Sequence, residues 1–551
     1  MTIPSERFSV SRFAYRSSAI AAYFVLTAAT CTAQSNSTDS AMYFHSQVQD
    51  APQCAMSVVD GELRFPAAIT NAAATCPDAF GWMQMLEAIG EQFWEQWGND
   101  ETLWVSSPKP LCESARDRDC CFVNENGTPQ VGYRDASGNT VRPSDIGGPG
   151  EYCPYVPGDY GGSDETTFQG GKPVSSHNTT FLRSLDPARI ARQQEVEVVY
   201  RNDPFMRYTT AAELYSQEGL QKLFSRVAGE AANAAPYRPT GKGASYPPDA
   251  VMFKVDWIGQ ETMLDLGYIA DHDNDDSTPP QDKDHPYVTM KINASTDNGK
   301  TYTESLYYLV GVTGASKALP NWHWYAFEHV SNLGRCDFTG CNDSYGFSTT
   351  IRIPVPPYLT DEEKSKGRKP KTAPFESNFI RPAVRDDQLQ DNTSIFVLGG
   401  RYPSGKMSSG LAAAFNGTGI GGGSARVDPD MPKTTDPAWR SYRLKGTQTQ
   451  FYHNDGYPTV VGQSVTEGGF VNTASCMSCH VQASVDSSGA APGVPGVGAT
   501  GRLNLFGIGT VVNGAPYTGD FYDRGTTLQR AVQTDFVWGV LFAEKGVESK
   551  K

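Results

Sequence analysis

Apolar residues first recur at helical spacing within residues 77–98, where Trp82, Leu86, Ile89, Phe93 and Trp97 fall four, three, four and four apart. That spacing puts them on one face and predicts an amphipathic helix, with Asp78 placed to cap its start and Gly98 to end it. A second helix is predicted over residues 209–235, with Ala212, Leu214, Leu220, Leu223 and Phe224 on its buried side. Beyond it the period drops to two. Val251, Phe253, Val255 and Trp257 alternate with Met252, Lys254 and Asp256, which predicts a strand covered on one face. Residues 287–292 and 305–312 predict further strands. Strands separated by turns in this way predict an antiparallel sheet or sandwich as the central body.

The intervening segments carry other signals. Residues 34–50 are polar, and residues 107–177 are rich in Gly, Pro, Asp and Cys with few periodic runs, which predicts long disulfide-tied loops. Asp271, Asp273 and Asp275 alternate at the spacing of a calcium loop, with Asp282 at its twelfth position. The sixth position is Asp276 where a calcium loop has Gly, and the twelfth is Asp where it has Glu. A solvated acidic loop fits that departure better than calcium. Residues 319–329 hold Trp322, His323, Trp324, Tyr325, Phe327, Glu328 and His329. Such a stretch suits the cover of a cofactor face, with a histidine on a metal, and equally suits a buried aromatic strand with satisfied polar tips. Residues 417–423, GTGIGGG, lack the strand and helix of a nucleotide loop and read as a flexible connector.

Composition narrows the class. The 551 residues are 39% hydrophobic and 11% aromatic, enough for a sizeable core, while 54 Gly and 36 Pro argue against a helical bundle. A net charge of −15 argues against a nucleic-acid partner. Arg7, Arg12 and Arg16 precede a short apolar run at 19–30, the pattern of an export signal cleaved after Ala33, and a lipoprotein reading with Cys31 acylated is weakened by Ala28. No later run is long and apolar enough for a spanning helix. Eleven cysteines, less Cys31, Cys476 and Cys479, leave eight (11 − 3), an even number that in an exported chain implies disulfides. Cys336 and Cys341 flank a short turn and are expected to pair. Cys54, Cys76, Cys112, Cys120, Cys121 and Cys153 are expected to staple the N-terminal region.

Cys476-Met477-Ser478-Cys479-His480 carries the chemistry: it is a C-x-x-C-H. Two thiols at this spacing lie on one side of a helical turn and can add to the vinyl groups of haem, with the next histidine under the iron. No second C-x-x-C exists to complete a zinc site. Together with residues 322–332, 445–451, 456–469 and 533–540, the motif resembles a family of large exported single-haem c-type cytochromes. The likeness covers most of residues 250–551. It implies one covalent haem c on Cys476 and Cys479, His480 as proximal ligand, a periplasmic or secreted setting and a redox partner protein. Every Met precedes the motif or, as Met477, lies inside it, so a sixth ligand must come from upstream or be absent. His329, His453 and Met407 are the candidates, with His329 first for its aromatic surroundings.

The expected fold is α+β: a signal at 1–33, a Cys-rich region at 34–185, a β-rich body at 186–440 and a small, partly helical haem region at 441–551. The expected function is electron transfer. The alternatives are a haem oxidoreductase of peroxidase or oxygenase type with His329 or Glu328 as distal acid/base, and a surface binding protein with accessory haem.

Overall fold

The alternating run beginning at Val251 lies at the heart of a six-stranded sheet. The computed structural model describes most of residues 50–99, 116–141, 195–232, 243–294, 303–354, 372–380, 402–424, 429–452, 459–467, 474–490 and 531–543, and a few isolated positions besides. The expected export signal, the acidic stretch at 271–276, Cys112, Cys153 and His453 lie outside the described residues.

The sheet contains β1 (Glu195–Arg201), β2 (Val251–Gly259), β3 (Thr289–Ala294), β4 (Thr303–Ser316), β5 (His323–His329) and β6 (Tyr442–Gln448). Its order is β6-β5-β4-β2-β1, with β3 continuing the line of β5 along β4, and every pairing is antiparallel. The strands expected at 287–292 and 305–312 are β3 and β4. Strand β6, whose residues fall in the segment 441–551 expected to form a separate haem region, is a member of this central sheet.

Alternation sorts the side chains to two faces. Val251, Phe253, Val255, Tyr325 and Phe327 join Trp82, Phe93 and Trp94 in one buried cluster. Met252, Ala315, Trp324 and Ala326 join Cys476, Met477 and Val481 in another. The strand expected to be half-buried is therefore covered on both sides. Asp256, on the second face, lies beside Gln463 of the segment 459–467. A Cβ at Gly311 would meet the Gln463 side-chain amide, which lies against the bare backbone there.

On the first face sits α1 (Pro77–Gly90), followed after Gln92, at φ 55°, by a short turn of helix at Phe93–Gln96. The predicted apolar stripe is buried, but the helix is broken at that left-handed residue and does not run through to Gly98. Asp78 does not cap it either. Asp50 accepts the Asp78 and Ala79 backbone N–H groups at 3.0 and 2.6 Å, while Asp78 is buried and accepts from Ser344 and Thr447.

The second predicted helix is likewise two, α2 (Asp203–Ala211) and α3 (Gln217–Ala232), separated by Glu213 at φ 57°. Leu214, Leu220 and Leu223 are buried as expected. The glycine-rich run expected to be a flexible connector instead finishes α4 (Ser409–Thr418), with Gly419 as a left-handed C-cap and Gly421 N–H bonded to Thr434 O at 2.9 Å.

Cys336 and Cys341 are disulfide-bonded, as are Cys54 and Cys76. Among the described residues no helix is long and apolar enough to cross a membrane.

Candidate functional site

Cys476–His480 forms the short helix α5. Ser475 caps it, accepting the Ser478 backbone N–H at 3.3 Å. The preceding residues run beside residue 461, with Val461 N–H bonded to Ala474 O at 3.1 Å. A Cβ at Gly462 would strike Ala474, so this approach requires the glycine of the segment 456–469.

The sheet holds the helix through one row of residues. Met252, Ala315, Trp324 and Gln448 stand opposite one another across β2, β4, β5 and β6. Gln448 donates to Ser475 Oγ at 2.8 Å and accepts the Met477 backbone N–H at 3.0 Å. The Trp324 ring centroid lies 4.4 Å from that of His480.

The C-terminal segment closes the other side. Strand β7 (Ser484–Val485) pairs with β8 (Val532–Gln533), and Trp538 Nε1 donates to Cys479 O at 3.3 Å. The Phe536 carbonyl accepts a hydrogen bond from His480 Nδ1 at 2.8 Å. A carbonyl only accepts, so Nδ1 carries the ring proton and Nε2 presents its lone pair. No hydrogen bond to Nε2 is made among the described residues.

Electrostatics favour the neutral ring. Burial lowers the His480 pKa to about 4, and the Phe536 carbonyl only partly opposes it. Both thiols are unpaired. Burial raises each: Cys479 to about 11, and Cys476 further, with Glu467 adding to the effect at Cys476. A dithiol redox pair needs the opposite, a depressed thiol pKa. Among the described residues no three His, Cys, Asp or Glu side chains converge as a metal-binding group, so α5 has no partner for a zinc site there.

The candidate ligands upstream are not brought to α5. His329 lies five residues beyond Trp324 on β5, about 16 Å at strand rise, and its odd number puts it on the opposite face. Its Nε2 donates to Pro286 O at 3.2 Å, its Nδ1 accepts the Ser331 N–H at 3.2 Å, and its ring stacks on Tyr287 at 3.4 Å. Both nitrogens are engaged, and His329, expected as an iron ligand, lies across the sheet from α5.

Met407 bridges Phe347 and packs on the cluster containing Trp82, again across the sheet. Glu328 is on the face of α5 but fully buried, accepting from Ser464 N at 3.2 Å, Asn332 Nδ2 at 3.1 Å and Lys445 Nζ at 3.4 Å. It has no access as an acid or base.

The aromatic stretch thus does two jobs. Trp322 and Trp324 serve the α5 face, and Tyr325, Phe327 and His329 the other. Sequence reading placed Gln448, Asp535, Phe536 and Trp538 in blocks accompanying the motif without giving them roles, and a main-chain carbonyl leaves no side-chain signal at all.

The chain matches no protein-family model, no curated protein and no solved structure.

Proposed function

We propose that the protein is an exported c-type cytochrome that holds one covalent haem on Cys476 and Cys479 and transfers single electrons. The observation that carries this is the hydrogen bond from His480 Nδ1 to the Phe536 carbonyl. A histidine that ligates a metal characteristically donates its other ring nitrogen to such an acceptor, which fixes the tautomer and raises the basicity of the ligating nitrogen. Here it accompanies two unpaired thiols on the same helical turn.

The donor set fits haem c: two thiols for the vinyl groups and Nε2 for the iron. When bound, the haem supplies a ferric/ferrous couple. The residues of this chain orient and shield it. Gln448 fixes the helix, Trp324 packs against the proximal imidazole, and the turn at 535–536 holds the ring proton away from Nε2. The disulfides and the charge pattern of the N-terminus support an export route, and the acidic surface suits a basic redox partner.

A second reading, an oxidoreductase with an open distal site, is favoured by one observation: His329 and Met407 are both across the sheet from α5. Absorption spectra of the ferric and ferrous protein, with and without carbon monoxide, decide between them. The carrier reading expects a low-spin spectrum indifferent to carbon monoxide. Rapid carbon monoxide binding to a high-spin haem would replace it with the open-site reading, and a chain purified from an exporting, haem-attaching host without covalent haem would overturn both.

A further inference from the structure

Among the described residues, six non-glycine positions have positive φ, and three of them meet beside His480: Trp322 at 62°, Asp535 at 51° and Phe536 at 68°. For a bulky side chain this is a strained region that persists only where surrounding contacts enforce it, and such positions cluster at functional sites.

The contacts converge on Asp535. Its Oδ2 accepts the Tyr246 backbone N–H at 2.7 Å. Its Oδ1 accepts from Lys317 Nζ at 2.5 Å and Trp322 Nε1 at 3.4 Å. Tyr246 precedes β2, Lys317 follows β4, and Trp322 precedes β5. One carboxylate therefore ties the C-terminal turn to three points at the same end of the sheet. The Lys317–Asp535 pair is shielded, its side chains 10% and 8% exposed, and Lys317 lies 5.6 Å over the Trp322 ring while also donating to Pro320 O. The next residue in the turn is Phe536, whose carbonyl meets His480 Nδ1.

We propose that Asp535 is a positioning residue: by locking the left-handed turn it aims the Phe536 carbonyl at His480 Nδ1 and so leaves Nε2 as the nitrogen offered to iron. The inference rests on the haem reading above and adds a control on the potential. A hydrogen bond from Nδ1 makes the imidazole a stronger donor, which stabilises ferric over ferrous iron. Loosening the turn weakens that bond and raises the midpoint potential. Asp535 acts through the turn and does not itself touch the iron ligand.

The test uses the full chain and two variants, Asp535→Asn and Lys317→Met. The first is isosteric but gives up the charge and one acceptor. The second removes one of three donors and gives a graded response. Covalent haem is read first, from the absorption of the alkaline pyridine adduct, and the midpoint potential next by redox titration. The expected result is a higher potential in Asp535→Asn and a smaller rise in Lys317→Met. Unchanged potentials in both variants, with only a lower melting temperature, would make Asp535 a structural staple and overturn the inference while leaving the haem reading intact.

If the wild-type chain carries no covalent haem, the function proposed above falls instead. The ¹⁵N shifts of His480 in that same protein then decide the role of Asp535. A single Nδ1–H tautomer in wild type that becomes a mixture in Asp535→Asn upholds it, and identical shifts overturn it.

Discussion

Gln448 grips Met477: the amide oxygen at the end of β6 accepts the Met477 backbone N–H at 3.0 Å, inside the C-x-x-C-H helix. Its amide nitrogen donates to Ser475 Oγ, Thr459 Oγ1 and Thr459 O at 2.8, 2.5 and 3.1 Å. One side chain joins the central sheet to both segments that frame α5.

Gln448→Leu keeps the volume and leaves the Met477 N–H and Thr459 O buried without that partner. The expected loss is about 2–6 kcal/mol, since each of the two orphaned buried groups costs roughly 1–3 kcal/mol. Urea unfolding of the two proteins measures it. A loss below half a kcal/mol would mean that water or a neighbour replaces the amide.

His329→Ala separates a structural histidine from an iron ligand. The stacked ring on Tyr287 and both hydrogen bonds disappear, and about 3 kcal/mol of stability is expected to go with them, as for other large-to-small core changes. The visible spectrum of the haem-loaded protein is expected to be unchanged. A shift from low to high spin would restore His329 to the coordination sphere.

The placement of His329 was partly legible in the sequence. Period-two alternation, applied to residues 322–329, already puts Trp324 and His329 on opposite faces. The composition of the stretch, with two His among four aromatics, drew attention away from its parity. The apolar stripe of α1 and the Cys336–Cys341 pair were also legible, because both are local. The break at Gln92 was not, since nothing in Gln itself demands a positive φ. Nor was the pairing of β5 with β6, which brings Trp324 opposite Gln448 across more than a hundred residues of chain. Capping misled for a related reason: Asp78 has the right position for a cap, but Asp50, from outside the helix, takes the two N–H groups.

Asp343 gives the first face a pH dependence. Burial raises its pKa from 3.8 to about 7, and the Asp78 charge adds to the rise. A raised carboxylate holds its proton longer in the folded than in the unfolded chain. Its stabilising contribution is therefore complete below pH 3.8 and is lost as pH rises toward about 7. His323, lowered to about 3 by burial, pulls the opposite way at acid pH. Asp343→Asn is expected to remove a downward slope of up to about 1.4 kcal/mol per pH unit between those limits. Melting temperatures of wild type and variant across pH 4–8 test it, and parallel curves would refute it.

Lys445 and Glu328 form a buried ion pair, 2% and 0% exposed. Lys445→Met removes the ion-pair partner of the Glu328 carboxylate and is expected to cost about 3–5 kcal/mol. Glu328→Gln in the same chain is expected to recover part of that loss. A double-mutant cycle with no coupling would show that Arg335, whose charge also acts with that of Glu328, is the effective partner.

Cys476 and Cys479 differ in access. Cys476 is 8% exposed, its Sγ against the Val461 carbonyl at 3.6 Å, whereas Cys479 is half-buried. The cluster around Cys476 includes Val532, Phe536, Val537 and Val540. On the haem proposal, chemistry at the Cys476 thiol precedes the docking of residues 531–540, which pack around it. The same proposal gives maturation an order set by the fold, in which closure of the C-terminal segment before attachment seals the thiol. Slowing the docking of residues 531–540 should raise the yield of modified protein, and speeding it should lower that yield.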